Sequence, residues 1–271
     1  MARRIRLDDE LVSQGLARDR GEALRLIMAG LVSSGGERLG SAGQKVEPGV
    51  ELHVKGHIPY VGRGGLKLEG ALDEFGVDPG GLACLDIGCS TGGFTDCLLK
   101  RGAANVTSVD VGRAQFDWSL RNDDRVTLLE RTNIVDLPQA GYSSVFDLAV
   151  CDVSFTSVAT VLPAALEALK ADALFLTLVK PQFEAPAESV GEGGVVRDPR
   201  VWASVLMAAA DLLWGSGLMP EGVCASPITG AKGNHEFFLL GSRGSFRRPG
   251  SGYDSQAFAA RVAAVTGGVG K

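Results

Sequence analysis

Apolar residues between Arg6 and Gly30 recur at helical spacing in two short blocks. Leu7, Leu11 and Val12 give the first block an apolar stripe that stops at Gly15, and Ala23, Leu24, Ile27 and Met28 give the second a buried face that ends at Gly30. Asp19 followed three residues later by Glu22 has the form of a capping box for the second helix. Short extended pieces at 31–34 and 50–54 follow, separated by a Gly-rich turn region. This pattern predicts a small α+β domain over residues 1–54. The next stretch, KGHIPYVGRGG at 55–65, is too polar and broken to form an element, so it reads as a linker.

Beyond the linker, over residues 66–271, the pattern changes to strand-length apolar runs separated by helix-like ones. ACLDI (83–87), NVTSVD (105–110), VTLLE (126–130), FDLAVCD (146–152) and ALFLTLVK (173–180) are rich in β-branched residues, and 155–169 and 199–214 have helical spacing. Such alternation predicts an α/β domain with a Rossmann-like, mostly parallel, doubly wound sheet. The closing runs MPEGVCAS and EFFLLGS are joined by a short connection near 230–234, so the last strand is expected to be antiparallel and the sheet to have seven strands.

The densest chemical signal is LDIGCSTGGFT at 85–95, a glycine-rich turn between a buried strand and a helix. Glycine permits positive φ and close approach of a ligand to the backbone, and a helix N-terminus offers free N–H groups. In an open α/β sheet this turn borders the ligand crevice. A nicotinamide dinucleotide needs G-x-G-x-x-G, whereas this loop reads G-x-x-x-G-G, so the spacing favours a different adenosine cofactor. The candidate cofactor residues in and just before the loop are Asp86, Gly88, Ser90, Gly92, Gly93 and Phe94. Asp110, 22 residues after Gly88, ends the second strand where it can accept hydrogen bonds from ribose hydroxyls. Asp86 can orient the loop or a ligand ammonium group.

Four further charges fall at ends of predicted elements. Asp152 ends the fourth strand, Lys180 the fifth, Glu236 opens the seventh, and Lys67 follows the linker. Each taken singly can be an ordinary surface charge. Their neighbours PQFE after Lys180 and GAKGNH before Glu236 are irregular loops, where function concentrates.

The net charge of −5 argues against nucleic acid until it is divided along the chain. The stretch before residue 68 is net basic, with Arg3, Arg4, Arg6, Arg18, Arg20 and Arg25 clustered near its start, while the remainder carries the acidic excess. Such arginines give sequence-independent, salt-sensitive grip on phosphates. Charge alone does not separate that role from a merely solvated face. The five cysteines form no C-x-x-C pair and the three histidines have no zinc-ligand spacing, so reduced thiols and no metal are expected. No apolar run has transmembrane length, and none follows the charges of Met1-Ala2-Arg3-Arg4-Ile5-Arg6, which predicts a soluble cytoplasmic protein.

The stretch RLDDELVSQGLARDRGEALRLIMAGLV resembles the RNA-binding domain shared by ribosomal protein S-four, tyrosyl-tRNA synthetases and pseudouridine synthases, with Asp19 where these domains often carry serine. The motifs RGGLKLEGAL, LDIGCSTGGFTDCLLKRGA, VDVGRAQ, CDVSF, LVKPQFEA and SPITGAKGNHEFFL resemble the TlyA, or hemolysin-A-like, ribosomal RNA 2′-O-methyltransferases, and their catalytic half is similar to the FtsJ type. The resemblance implies S-adenosylmethionine as cofactor and ribosomal RNA within ribosomal subunits as partner, with the ribose of a cytidine as acceptor. It implies a Lys-Asp-Lys-Glu tetrad at Lys67, Asp152, Lys180 and Glu236, in which Lys180 is the base, Asp152 positions it, and Lys67 and Glu236 orient the ribose. It also implies RNA contacts by Arg4, Arg6, Arg18, Arg20 and Arg25, and places Asn133 and Phe155 near the adenine. Departures from the family pattern are Cys89, Arg113, Pro186 and Glu192, the last removing a possible interaction with phosphate.

Two other classes compete. A silent RNA-binding or assembly factor would not need all four tetrad positions filled. A membrane-lytic hemolysin would need a spanning segment or a strongly basic amphipathic helix, and the sequence has neither. The absence of an N/D-P-P-Y motif favours an oxygen acceptor over a base atom.

Overall fold

The computed structural model describes residues 4–56, 58–113, 115–246 and 252–269, so Arg3 and His57 lie outside the described residues. The chain forms two compact units, Met1–Pro59 and Tyr60–Lys271.

The first unit comprises β1 (Ile5–Arg6), α1 (Leu7–Ser13), α2 (Arg20–Met28), β2 (Val32–Ser34), β3 (Glu37–Arg38), β4 (Lys45–Val46) and β5 (His53–Val54). β1 pairs antiparallel with β4, and β2 pairs antiparallel with both β3 and β5. Leu7, Leu11, Ala23, Ile27, Val32 and Leu52 form its core. Asp19 caps α2 as expected, its side chain accepting from the Glu22 N–H at 2.8 Å. Glu22 reaches one residue beyond the capping-box position, to the Arg18 N–H at 2.8 Å.

The expected buried face of α2 needs correction. Ala23 and Ile27 are buried, but Leu24 is 44% and Met28 74% exposed. Ala23 and Ile27 stand one turn apart on the side that meets α1. Leu24 and Met28 are each rotated about 100° from them, beyond the reach of so small a core.

The second unit comprises α3 (Gly64–Phe75), β6 (Ala83–Ile87), α4 (Gly93–Lys100), β7 (Asn105–Asp110), α5 (Trp118–Arg121), β8 (Val126–Glu130), β9 (Phe146–Cys151), α6 (Val158–Ala168), β10 (Leu169–Val179), α7 (Pro181–Glu184), α8 (Pro199–Gly215), β11 (Met219–Ala225), β12 (Phe237–Arg243) and α9 (Ser255–Gly268). Helix α3 starts inside the segment read as linker, and Tyr60 and Val61 pack against this unit's core. The seven strands run in the order β11-β12-β10-β9-β6-β7-β8. β6 to β10 are mutually parallel, and β12 is antiparallel to both β10 and β11, which is the closing arrangement the sequence predicts.

Both faces of this sheet are covered, so successive residues alternate between two cores. Phe237 and Leu239 of β12 join one cluster with Phe146, Phe175 and Leu206, while Phe238 and Leu240 join the other with Leu68, Leu72 and Leu98. β6 has β7 on one side and β9 on the other, so the chain reverses its direction of winding beside β6. The carboxyl ends of β6 and β9 therefore open onto the crevice where such sheets bind ligands. No helix among the described residues is long and apolar enough to cross a membrane.

Candidate active site

A cavity of about 260 Å³ lies at that crevice, lined by Arg63, Lys67, the loop residues Gly88 to Thr91, Gly93, Phe94, Asp152 and the 229–231 loop. The glycine loop shapes its wall. Gly88 has φ 82°, and a Cβ there would stand 2.8 Å from the carbonyl oxygen of Asp152. A Cβ at Gly93 would stand 2.9 Å from the backbone nitrogen of Gly65. Phe94 is buried and its ring faces Phe238 at 6.0 Å.

Asp110 holds this wall in place with both carboxylate oxygens. Oδ2 accepts from the Ser90 N–H at 2.8 Å and Oδ1 from the Gly112 N–H at 2.7 Å. With Cys89, Ser90, Gly112, Arg113 and Glu130 it lines a second, narrower pocket. Asp86 lies beneath the loop with no exposed surface, and its Oδ2 accepts from the Thr95 hydroxyl at 2.6 Å. Among the described residues nothing donates to its Oδ1. Burial pushes the Asp86 carboxyl up to about 7, against the Thr95 hydrogen bond.

The four charges at element ends form two pairs, each with one buried and one half-buried member. Lys67 Nζ donates to Glu236 Oε2 at 2.6 Å. Lys180 Nζ lies 2.5 Å from Asp152 Oδ1 and donates to Ser154 Oγ at 2.8 Å. Lys180 and Glu236 are buried, and Lys67 and Asp152, one from each pair, line the same cavity. Gly230 makes room for Glu236, since a Cβ there would fall 2.0 Å from Oε1. Asn234, also buried, accepts from the Val196 N–H and donates to Gly194 O and Ala231 O, tying together the loops that flank Glu236.

Asn133 and Phe155 line neither of these pockets. Asn133 caps a short 3-10 turn, its Oδ1 accepting from the Val135 N–H at 3.3 Å. Phe155 has φ 62° and is 90% exposed, its ring 5.0 Å from that of Phe183. Sequence reasoning missed Ser154, which carries no signal beyond standing two residues after Asp152. It also missed Arg63, read as linker, which donates to Thr229 O at 2.9 Å at the cavity wall.

On the first unit, four of the candidate arginines are already ion-paired. Arg4 meets Glu47, Arg18 meets Glu22, Arg20 meets Asp9, and Arg6 donates twice to Asp8 at 2.8 and 2.6 Å. Arg25 is exposed on the last turn of α2.

A doubly wound sheet with this strand order and a glycine loop beside two Lys–carboxylate pairs defines a methyltransferase. Residues 60–243 match the FtsJ-like methyltransferase family and residues 5–52 the S4 domain. The 16S/23S rRNA (cytidine-2'-O)-methyltransferase TlyA of Mycobacterium tuberculosis is 47% identical, over 88% of this chain and 90% of its own. Hemolysin A of Brachyspira hyodysenteriae is 39% identical, over 86% of this chain and 98% of its own. A solved hemolysin-named structure from Streptococcus thermophilus is 37% identical with a TM-score of 0.68, covering 97% of this chain and 96% of that one. The chain belongs to the FtsJ-like methyltransferases, with TlyA and hemolysin A among its relatives, and it also carries an S4 domain.

The cofactor is S-adenosylmethionine, and the residues present fit it. Glycines at 88 and 93 leave the loop backbone bare where a side chain would collide, and the buried Asp86 Oδ1 has acceptor capacity that nothing among the described residues uses.

Proposed function

We propose that this chain methylates a ribose 2′-hydroxyl, that of a cytidine in ribosomal RNA, on ribosomal subunits in the cytoplasm. The observation that carries this reading is the contact of Lys180 with Asp152 beside the glycine loop, with Lys67, paired to Glu236, lining the same cavity as Asp152. The acceptor class follows the substrate in the name of the Mycobacterium relative.

When bound, S-adenosylmethionine supplies an electrophilic methyl group on a sulfonium, and its departure as a neutral thioether needs no acid. The demand on the protein is therefore at the attacking oxygen, a poor nucleophile while it holds its proton. Lys180 Nζ, as the neutral amine, accepts the 2′-hydroxyl proton as the O–C bond forms, and later releases it to water. Asp152 holds the amine, and stabilises it once it is charged. Lys67, fixed by Glu236, presents its remaining N–H groups to the ribose oxygens. The loop residues Gly88, Ser90, Gly92, Gly93 and Phe94 hold the cofactor with Asp110, and Asp86 supports that loop from below.

The first unit holds the RNA through Arg4, Arg6, Arg18, Arg20 and Arg25. Phosphates compete there with the carboxylates that pair the first four, which makes the grip salt-sensitive.

The test uses Lys180→Ala with ribosomal subunits from cells lacking the protein. Methyl transfer falls to background while cofactor and RNA binding persist, and reverse-transcription stops at low nucleotide concentration locate the modified ribose. Methyl transfer retained by Lys180→Ala overturns the base assignment, and absence of any new stop overturns the ribose acceptor.

A further inference from the structure

We propose that Ser154 is a positioning residue that aims the lone pair of Lys180 at the substrate hydroxyl. This rests on the reading of Lys180 as the base. A neutral primary amine has two N–H bonds and one lone pair at tetrahedral directions, and it turns freely about its last C–N bond unless the N–H groups are held. Two acceptors flank Nζ: Ser154 Oγ at 2.8 Å and Asp152 Oδ1 at 2.5 Å. Ser154 Oγ accepts one N–H, and the Asp152 carboxylate, in ion-pair contact without hydrogen-bond geometry, draws the amine from the other side, which leaves the lone pair one favoured direction. Asp152 lines the cavity, so that direction is set beside the space where the ribose must enter. With one acceptor alone, the amine samples several orientations and the lone pair points away from the hydroxyl for part of the time.

The segment carrying Ser154 is fixed independently of Lys180. Beyond it, Glu184 of α7 accepts from the Ser157 hydroxyl at 2.6 Å and from the Val158 N–H at 2.8 Å. Between these points Phe155, in the left-handed region, meets Phe183 of the same short helix. The residues after Lys180 therefore hold the backbone of the residues after Asp152 from the other side, without involving the amine. Asp152 Oδ1 is buried, lies within ion-pair distance of the amine, and accepts no hydrogen bond among the described residues.

The experiment compares Ser154→Ala, Ser154→Thr and Ser154→Cys with Lys180→Ala in the full chain, using unmodified ribosomal subunits and S-adenosylmethionine. Ser154→Ala lowers kcat about ten- to a hundred-fold, the scale of a misoriented reacting group. The KM for RNA and the Kd for S-adenosylmethionine by calorimetry stay within about two-fold, because the serine hydroxyl acts on the amine and on neither ligand. Ser154→Thr, which keeps the hydroxyl, restores most of kcat, while Ser154→Cys, a weak acceptor of similar volume, does not. Ser154 is exposed, and an unchanged Tm in all three variants excludes a folding effect. An unchanged kcat in Ser154→Ala overturns the proposal, as does a raised KM at unchanged kcat or a threonine variant as slow as alanine. Activity retained by Lys180→Ala marks the failure of the base reading instead.

Discussion

Lys67 Nζ lies 2.6 Å from Glu236 Oε2, joining residues 169 positions apart in the sequence, and both side chains are almost shielded from water. A buried ion pair of this kind adds little net stability, because desolvating both charges offsets their attraction. Removing one partner is another matter, since the survivor is left buried and uncompensated. The pair is therefore a device for placing the Lys67 ammonium at the cavity wall, with Glu236 as its anchor.

Lys67→Met should lower stability by about 3–5 kcal/mol by stranding Glu236, and should also depress methyl transfer. The double variant Lys67→Met/Glu236→Gln should recover most of the stability and none of the activity. Chemical denaturation alongside methyl-transfer rates separates the two effects. A double variant that regains activity with stability would show that the pair serves the fold alone.

Gly88→Ala acts on a different part of the site. Its added methyl meets the backbone oxygen of Asp152 at 2.8 Å, and alanine is strained at φ 82°. Relief requires the loop to shift away from β9, which moves the cofactor wall and the Asp152 side chain together. The expected result is at least a ten-fold weaker Kd for S-adenosylmethionine in calorimetry, with a lower kcat for the molecules that do bind. Wild-type affinity in this variant would mean that the loop backbone is not the cofactor wall.

The buried Asp86 gives the second unit a stability that depends on pH. Its carboxyl titrates near the usual carboxylate value when unfolded and at about 7 when folded, so the folded state holds its proton more tightly. Stability from this group is complete below about pH 4 and is lost as pH rises through 7. Asp86→Asn abolishes that slope. Urea denaturation at pH 5 and pH 8 should show the wild type losing stability relative to Asp86→Asn by about 2–4 kcal/mol. Parallel curves for the two proteins would show that Asp86 is ionised without penalty in the fold.

The sequence made the second unit legible because its strands are buried on both faces and so read as unbroken apolar runs, and because the glycine spacing at 88–93 has few structural alternatives. The set of Lys67, Asp152, Lys180 and Glu236 came from the family resemblance, because a single charge at an element end reads equally as an ordinary surface charge. Their division into pairs was not legible, because it depends on how β9, β10, β12 and α3 converge. Ser154 is equally silent, a common residue made important only by an amine 26 positions away. Asn133 was placed by its position after the third strand and Phe155 by the resemblance; in the structure one caps a turn, and the other is exposed on a left-handed backbone. In the first unit, strands of two residues are too short to leave any periodicity, and four apolar residues on α2 exceed the one stripe its small core can cover.

The arginines of the first unit bear on how tightly RNA is held. Arg18 and Arg20 face Glu22 and Asp9, and the hydrogen bonds from those guanidinium groups hold both carboxyls below the usual range. Each phosphate that binds must displace a carboxylate or share its guanidinium, so affinity is lower than the arginine content suggests. Arg18→Ala/Arg20→Ala removes two cations and leaves two uncompensated acids facing the RNA. Affinity for ribosomal RNA should fall at least ten-fold at low salt, and the slope of log K against log salt should shrink by about 1 for each phosphate no longer neutralised. S-adenosylmethionine affinity should stay unchanged, since it belongs to the other unit. Asp9→Asn should move RNA affinity the opposite way, upward, by freeing Arg20. A double-arginine variant with unaltered salt slope would assign those residues to a solvated face, and a weaker-binding Asp9→Asn would show that the carboxylate holds Arg20 ready for phosphate.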